Sequence, residues 1–424
     1  MTKSLLRAAF VVCLPLCAMG IAAVTTPAFA ADQPKMSKGA LKPIQECKKA
    51  NEAKDWTTAV AKCKEALQVA DRTDYDNYLI NRLLGVAYFS LKDHADAKAA
   101  FEAVVLNPAT PIDDRKYIES PAMQLAVEEN DNAGVLQMAP IALQDNPTEP
   151  DVLSSIAIAY YSTNDYPNAA AYAQKAIDAA LSQGKLAQYG TYQVLTFAYD
   201  KLKKLPDEIK AFELMARDYG RPDDWKYLFD FSLDQLPAGS KAQREIAALD
   251  IYRLRMLTNA GWTAQNYAEM ADVAQAQRAW GDARAALQNG IDKGALPQAK
   301  VAATLNTVLA NAKKDEQALP QAEKLANNGK EAVSVAEGYY GYGRYADAAR
   351  AAQKAAGLGG PTLAEAELVL AMAQVRQGDQ AAAEKTLASV QGDPALVRAA
   401  YLWKLYVDRK DGNPTGQPAA AATH

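Results

Sequence analysis

Two cysteines near the start of the sequence are the residues best placed to do chemistry. Cys47 and Cys63 lie in the stretch ECKKANEAKDWTTAVAKCKEAL, and the only other cysteines are Cys13 and Cys17. A pair of this kind can serve as metal ligands, as a redox pair, as a nucleophile with its neighbour, or as a structural disulfide. Other parts of the sequence have to decide among these four roles.

The histidines offer little support for a metal site or a catalytic base. The chain has His94 and His424, and His424 is its last residue. A zinc site or a nucleophile–histidine dyad usually needs more than one isolated histidine. We interpret His94 as a packing residue beside a helix turn, and the sequence predicts no metal and no cofactor.

The known short catalytic motifs give the same result. Ser182 and Lys185 match S-x-x-K, but no K-T-G follows, and a motif with two free positions arises easily by chance. The sequence has no P-loop, G-x-S-x-G, H-E-x-x-H or EF-hand loop. We therefore expect a protein that is not an enzyme.

The composition places the chain among globular proteins. It has 424 residues, of which 50% are hydrophobic and 23% are charged, and its formal net charge is −4. A nucleic-acid-binding protein normally carries a basic surface, so we expect no nucleic-acid partner.

The N-terminal segment has the pattern of a secretory signal peptide. Lys3 and Arg7 precede an apolar run over residues 8–24, and Ala28-Phe-Ala30 forms an A-x-A cleavage site. We expect cleavage after Ala30 and a soluble, periplasmic mature chain. No later segment approaches the ~20 uninterrupted apolar residues that a membrane helix needs. Since disulfides persist in oxidising compartments, export favours a disulfide between the two mature cysteines.

Two other interpretations of this segment are weaker. An uncleaved membrane anchor would have to tolerate Pro15 and Gly20 inside the apolar run. A lipoprotein signal would need a small residue before its cysteine, whereas Leu16 precedes Cys17.

The rest of the sequence contains an internal repeat. Each copy has a turn residue, a bulky residue, and small or apolar residues at spacings that form one stripe on a helix. The clearest copies are DWTTAVAKCKEALQ, DHADAKAAFEAVV, DYPNAAAYAQKAID and GRYADAARAAQKAAG. The segment before each copy also has a helical pattern, with a small residue nine positions before the bulky one. In three of the four copies a tyrosine follows three positions later, namely Tyr88, Tyr160 and Tyr339.

This pattern resembles the tetratricopeptide repeat, a helix–turn–helix unit of about 34 residues. The best match is VLSSIAIAYYSTNDYPNAAAYAQKAI. The resemblance implies an all-α solenoid, a right-handed superhelix of about nine to ten repeats. The bulky turn residues fall at Trp56, His94, Asn132, Tyr166, Leu205, about Arg244, Ala283, Glu316, Tyr345 and Gln380.

The positions of prolines and glycines, and how well each segment matches the repeat, suggest a division of the chain. A possible hinge lies at residues 219–240, where prolines and glycines accumulate. The expected segments are a signal peptide (1–30), a polar lead-in (31–40), N-terminal repeats (41–218), degenerate central and C-terminal repeats with a capping helix (219–410), and a disordered tail (411–424).

The resemblance also suggests a role for the cysteines. Cys47 occupies the small-residue position of the first helix, and Cys63 occupies a usually aromatic position of the second helix. In this family the two positions face each other across the helix pair. The resemblance therefore implies a disulfide that clamps the terminal repeat.

By the same resemblance, the concave groove of such a solenoid binds peptides or protein segments. The residues four positions after the small residue are expected to face it, and here they are Phe89, Tyr161 and Tyr340. Packing between adjacent repeats is the alternative role for these rings. The leading hypothesis is an exported, non-catalytic scaffold or adaptor whose partner is another envelope protein or a peptide segment. The alternative is an accessory protein that holds a peptide or polysaccharide in an aromatic groove.

Overall fold

The computed structural model describes residues 36–409, which form twenty α-helices and no strands. No helix in this part of the chain combines the length and apolar character that a membrane span requires. The fold is an all-α solenoid of helix pairs, as the sequence predicted. The predicted signal peptide and tail lie outside the described residues.

Contacts divide the chain into two compact units, and the division falls between Ala211 and Phe212, inside α10. The predicted break at 219–240 stays a prediction. The first unit contains α1 (Lys38–Glu52), α2 (Trp56–Leu67), α3 (Asp74–Ser90), α4 (His94–Val105), α5 (Ile112–Glu128), α6 (Asn132–Asp145), α7 (Pro150–Ser162), α8 (Tyr166–Ser182), α9 (Tyr189–Lys201) and the start of α10 (Leu205–Asp218).

The second unit continues from the remainder of α10. Its further helices are α11 (Pro222–Asp234), α12 (Lys241–Thr258), α13 (Ala264–Ala276), α14 (Trp280–Asp292), α15 (Gln298–Leu325), α16 (Gly329–Gly341), α17 (Tyr345–Leu358), α18 (Leu363–Gln377), α19 (Gln380–Ser389) and α20 (Pro394–Val407).

The turn inside the helix pairs is built the same way in the first four pairs. One residue with a positive φ ends the first helix, and the next residue is an aspartate that caps the second helix. The aspartate accepts a hydrogen bond from the backbone N–H three residues later. The positive-φ residues are Lys54, Lys92, Asn130 and Asn164, and the capping residues are Asp55, Asp93, Asp131 and Asp165.

Most of the predicted turn residues begin a helix. Trp56, His94, Asn132, Tyr166, Leu205, Tyr345 and Gln380 are each the first residue of the second helix of a pair. The expected positions near Arg244 and at Ala283 fall within the first turn of α12 and α14. An aspartate cap precedes the helices that begin at Trp56, His94, Asn132, Tyr166 and Gln380.

The prediction of a turn at Glu316 is wrong. α15 runs without interruption from Gln298 to Leu325, through the sequence KKDEQ. Asp315, which resembles the capping aspartates, has a different role here. Its Oδ2 accepts a hydrogen bond from the Tyr342 hydroxyl at 2.8 Å. The side chain is thus engaged by a neighbouring helix, and the backbone continues as one long helix.

The first unit has two layers of helices. In one layer α1 contacts α3, α5 contacts α7, and α7 contacts α9. In the other layer α4 contacts α6. We call the first the odd-helix layer. Between the layers lies a core that includes Met123, Leu125 and Ile156, all fully buried. Burial of this continuous stripe is what each pair requires from its neighbours.

In the second unit the series of helix–helix contacts leads back to an earlier helix. α14 contacts α16, α16 contacts α18, α18 contacts α20, and α20 packs against α12. The indole Nε1 of Trp403 on α20 donates to the backbone oxygen of Asp250 on α12 at 3.0 Å, and the side chain of Trp403 is fully buried. The helix predicted as a terminal cap therefore packs against a helix about 150 residues earlier.

Cys47 and Cys63 are joined in the first helix pair. Cys47 on α1 and Cys63 on α2 form a disulfide, with their Cα atoms 5.0 Å apart, and both residues are fully buried. The α1–α2 pair lies at the end of the first unit and has a neighbouring pair on one side among the described residues. The disulfide stabilises this pair in addition to its packing against a single neighbouring pair.

Replacing Cys63 with serine, or reducing the disulfide, is expected to destabilise the α1–α2 pair by about 3 kcal/mol, because the unfolded segment gains loop freedom. Amide hydrogen exchange should accelerate in α1 and α2 and remain unchanged over residues 150–210. A non-reduced intact mass that corresponds to two free thiols would contradict the bond.

Candidate functional site

The predicted groove residues occupy different environments. Phe89 on α3 and Tyr161 on α7 are half-buried. Phe89 stacks on His94 with ring centroids 5.8 Å apart, and Tyr161 meets Tyr166 edge-on at 5.5 Å. Tyr340 on α16 is 6% exposed. The first two rings keep accessible area in the odd-helix layer, and the third does not.

Tyr340 is part of the packing of the second unit. The Arg253 guanidinium lies over its ring at 4.7 Å from the centroid, and Tyr345 meets the ring edge-on at 5.3 Å. Burial also raises the pKa of the Tyr340 hydroxyl. This arrangement corresponds to the alternative role that the sequence left open, namely packing. It leaves little surface on Tyr340 for a ligand.

Tyr161 connects neighbouring repeats of the first unit. Its ring centroid lies 6.5 Å from that of Phe197 on α9, which is also half-buried. The same two helices are held together by a buried hydrogen bond of 2.8 Å between the Ser154 and Thr191 hydroxyls. The position of the two rings relative to each other is therefore fixed by packing of α7 against α9.

Tyr117 is an aromatic residue that the sequence analysis missed. It lies on α5 in the odd-helix layer, and its side chain is 49% exposed. The third repeat lacks aromatic residues at the motif positions, so a motif search passes over it. A search for aromatic residues anywhere on the first helix of each pair would have found it. We call Phe89, Tyr117, Tyr161 and Phe197 the aromatic face.

A polar cluster joins α3 and α5, the helices that carry Phe89 and Tyr117. The Tyr78 hydroxyl donates to Asp114 Oδ2, and the Arg82 Nε lies 2.6 Å from the same oxygen. Burial, together with the hydrogen bond to Asp114, raises the pKa of Tyr78, so this hydroxyl stays protonated. The neutral phenol and the guanidinium both bind one carboxylate, which joins the two helices.

His94 extends the contact from α4 to α5. Its Nδ1 lies 3.2 Å from Glu128 Oε2, and its ring stacks on Phe89. This is the packing role that the sequence predicted. Within residues 36–409 there is no group of three or more His, Cys, Asp or Glu side chains that could hold a metal ion.

A buried carboxyl group lies inside the same unit. Glu119 on α5 is fully buried, and neither of its carboxyl oxygens has a hydrogen-bond partner. Burial raises the pKa of Glu119 to about 7, and the nearby Asp145 adds to the effect. Arg115 binds Asp145 through its Nε at 2.5 Å and holds the pKa of Asp145 low. Glu119 is thus the member of this group that binds a proton near neutral pH.

Replacing Glu119 with glutamine is expected to stabilise the first unit at about pH 8 and to change little at about pH 5. The folded-state pKa of Glu119 is raised, so its contribution is fully present below the unfolded value of about 4.3 and is lost as the pH rises through about 7. The gain at high pH should be about 3 kcal/mol. Urea unfolding followed by circular dichroism at both pH values measures it. The exposed Glu129→Gln variant should show no comparable pH-dependent change.

Comparison with known proteins identifies one repeat directly. The tetratricopeptide repeat family model matches residues 83–106, which include the C-terminal part of α3 and all of α4. The match covers Phe89 and His94. Among curated proteins, no sequence matches the chain.

Solved structures give distant likenesses. A tetratricopeptide repeat protein from Parabacteroides merdae ATCC 43184 is 14% identical, with coverage of 64% of this chain and 100% of that chain and a TM-score of 0.32. The Naa15/Naa10 complex bound to HypK-THB is 18% identical, with coverage of 82% and 58% and a TM-score of 0.28. The APC/C hetero-tetramer Cut9–Hcn1 is 12% identical, with coverage of 88% and 78% and a TM-score of 0.23. At these TM-scores the likenesses carry no argument about function.

The assignment of the chain therefore rests on the matched repeat and on the repeated capped turn between antiparallel helices. Both features lie in the same register, since the match at 83–106 includes the turn at Lys92 and Asp93. The chain contains a tetratricopeptide repeat at residues 83–106.

Proposed function

We propose that this chain is an exported, non-catalytic scaffold that binds a segment of another cell-envelope protein on the aromatic face of its first unit. Tetratricopeptide repeats are protein-interaction modules, which supports the general class. The site on this chain is inferred from its own exposed side chains.

The observation that carries the proposal is the exposure of aromatic side chains on adjacent helices of one layer. Tyr117 is about half exposed, and Phe89, Tyr161 and Phe197 keep part of their ring surface accessible. Aromatic side chains bury a large area with few rotatable bonds, and they dominate binding energy in protein interfaces. A protein segment that covers these rings would bury apolar surface that water now contacts.

Polar groups beside the face can orient such a segment. Asp114 and Arg82 are each between a quarter and a third exposed, although they already bind each other. Charged groups at the rim of an interface contribute more to orientation and association rate than to affinity. We expect the bound segment to combine apolar side chains with exposed backbone or polar groups.

Export is supported by the signal-peptide pattern that ends at Ala30 and by the disulfide between Cys47 and Cys63. Structural disulfides persist in oxidising compartments, and the periplasm is one of these. Both features favour a partner in the same compartment.

The alternative of a polysaccharide-binding protein would be favoured by an enclosed pocket with stacked aromatic rings. A cavity of about 540 Å³ in the second unit is lined by polar side chains such as Glu367 and Asp393, two leucines and small residues, and none of its lining side chains is aromatic. A polypeptide partner on the exposed face of the first unit is therefore the better-supported occupant.

Affinity capture with the mature chain 31–424 tests the proposal. A Phe89→Ala/Tyr117→Ala/Tyr161→Ala variant should lose a partner that the wild-type chain captures from its envelope extract. The matched control is Tyr227→Ala, since Tyr227 lies on the second unit and is 50% exposed. If the folded triple variant captures the same partners as wild type, the aromatic face is not the binding site.

A further inference from the structure

A cluster of buried charges lies in the second unit, away from the aromatic face. Its centre is Arg253 on α12, whose side chain is 2% exposed. Arg253 donates from Nε to Asp282 Oδ1 at 3.0 Å and from Nη2 to Asp282 Oδ2 at 2.7 Å. This two-point contact with α14 matches one guanidinium with one carboxylate.

Two more carboxyl groups share the remaining nitrogen. Arg253 Nη1 donates to Asp250 Oδ1 at 2.8 Å and also to Glu337 Oε2 on α16. Because both carboxyl groups bind the same nitrogen, they lie close to each other. The cluster then holds three carboxyl groups and one cation within hydrogen-bond distance.

The second carboxyl oxygens of Asp250 and Glu337 accept no hydrogen bond. Asp250 Oδ2 and Glu337 Oε1 are buried and have no hydrogen-bond partner. Asp250 as a whole is 1% exposed. Two ionised carboxylates on one nitrogen, each with an unsatisfied buried oxygen, would be costly. A proton on one of them removes a charge and supplies the missing donor, as in other pairs of close carboxyl groups.

We propose that Asp250 and Glu337 share a proton, and that this proton makes the closure of the second unit sensitive to pH. With the proton bound, the cluster holds α12 against α14 and α16. When the proton leaves, repulsion between the two carboxylates loosens the attachment of α12.

The position of α12 explains why loss of the shared proton would affect the contact between α12 and α20 that closes the second unit. Trp403 on α20 donates to the backbone oxygen of Asp250, the residue that also belongs to the cluster. α20 packs against α12 and α18, and this contact completes the return of the helix contacts in the unit. A displacement of α12 at Asp250 therefore acts directly on its contact with α20.

The other ionisable groups around the cluster do not supply a second cation to neutralise Asp250 and Glu337. Glu365 on α18 adds to the shift of Asp250, and Asp282 on α14 adds to that of Glu337. Lys330 acts on Glu365, and Tyr345 and Arg376 act on Tyr340, while α20 contributes the uncharged indole of Trp403. Arg376 interacts with the ring of Tyr345 at 4.7 Å from the centroid. Lys330 lowers the pKa of Glu365 without reversing its shift, so Arg253 remains the cation that binds the cluster.

The direction of the pH effect follows from these surroundings. Burial raises the pKa of Asp250 and of Glu337, with mutual charge repulsion adding to the shift of Asp250. Burial and Glu337 raise the pKa of Glu365 to about 7. Raised folded-state values mean that the stabilisation is present below the unfolded values of about 4 and is lost as the pH rises. The second unit should thus open more readily at alkaline pH.

Hydrogen exchange on the full chain measures this opening. Between about pH 5.5 and about pH 8.5, protection factors of α12 and α20 amides should fall by up to tenfold per pH unit for one proton released. The Glu337→Gln variant mimics the protonated group and should flatten this dependence. Glu384→Gln, at an exposed ion pair with Lys404 on the same unit, should leave it unchanged. An unchanged pH dependence in folded Glu337→Gln would overturn the proposal.

Infrared difference spectroscopy provides a second test. Glu119 and Glu365, with pKa values raised to about 7, also contribute protonated carboxyl bands near neutral pH. The proposal requires a further such band, missing from Asp250→Asn, that disappears in parallel with the loss of α12 and α20 protection. Absence of that band, or its disappearance while protection is unchanged, would overturn the proposal. Asp250→Asn supplies the assignment, since it should remove or shift the band.

Discussion

Replacing Arg253 with methionine is expected to destabilise the second unit by about 3 to 5 kcal/mol at neutral pH, because it leaves buried carboxylates without their cation. Asp250, Asp282 and Glu337 would each lose a hydrogen-bond donor from the guanidinium. The loss should be smaller at about pH 5.5, where protonation of the carboxyl groups reduces their charge. Urea unfolding of the full chain at the two pH values measures both effects.

The matched control for this variant is Arg284→Met. Arg284 is in the same unit, but its side chain is 38% exposed and its ion pair with Glu316 is 3.9 Å long. Exposed pairs of this kind contribute about 0 to 1 kcal/mol. An equal loss for the two variants would show that the Arg253 cluster has no special role in the stability of the unit.

Replacing Trp403 with alanine is expected to cost about 3 to 5 kcal/mol, because it empties a large volume between α12 and α20. The side chain is fully buried, and its loss also leaves the backbone oxygen of Asp250 without the indole donor. Denaturant unfolding together with hydrogen exchange should show the loss concentrated in α12 and α20, with the first unit unchanged.

Tyr401→Ala is the corresponding control on the same helix. Tyr401 is 42% exposed and donates to Glu213 Oε2 at 2.9 Å. Truncation of a partly exposed ring should cost about 1 kcal/mol. If Trp403→Ala costs no more than this control, the contact between α20 and α12 is not what holds the end of the unit.

The local structure of the helix pairs could be predicted from sequence because its determinants are local. An aspartate cap, a preceding residue able to adopt positive φ, and a bulky first helical residue occur together at Trp56, His94 and Tyr166. The same signal failed at Glu316. There the hydroxyl of Tyr342 binds Asp315, and that contact depends on tertiary structure.

Long-range contacts were beyond this kind of inference. The contact of Trp403 with Asp250 joins residues separated by 153 positions, and no repeat pattern connects them. Residues 219–410 were expected to hold degenerate repeats, and this part of the chain supplies α12, which holds Arg253.

The binding role of the candidate residues stays a prediction, but the structure gives them different degrees of burial. Motif register placed Phe89 and Tyr161 on the odd-helix layer, where both retain accessible surface. Register alone could not show that Arg253 would cover Tyr340, because the two residues come from distant parts of the second unit. It also passed over Tyr117, whose helix lacks the usual aromatic pattern.

Site-specific photo-crosslinking at Tyr117 is the most direct test of the proposed function. A photoreactive phenylalanine analogue at this position, introduced into the chain in its own envelope, should crosslink to a polypeptide. The same analogue at Tyr227, which is equally exposed on the second unit, should not give that product. The account predicts one discrete protein adduct at Tyr117 that disappears in the Phe89→Ala/Tyr161→Ala background. The absence of an adduct at Tyr117, or identical adducts at Tyr117 and Tyr227, would contradict it.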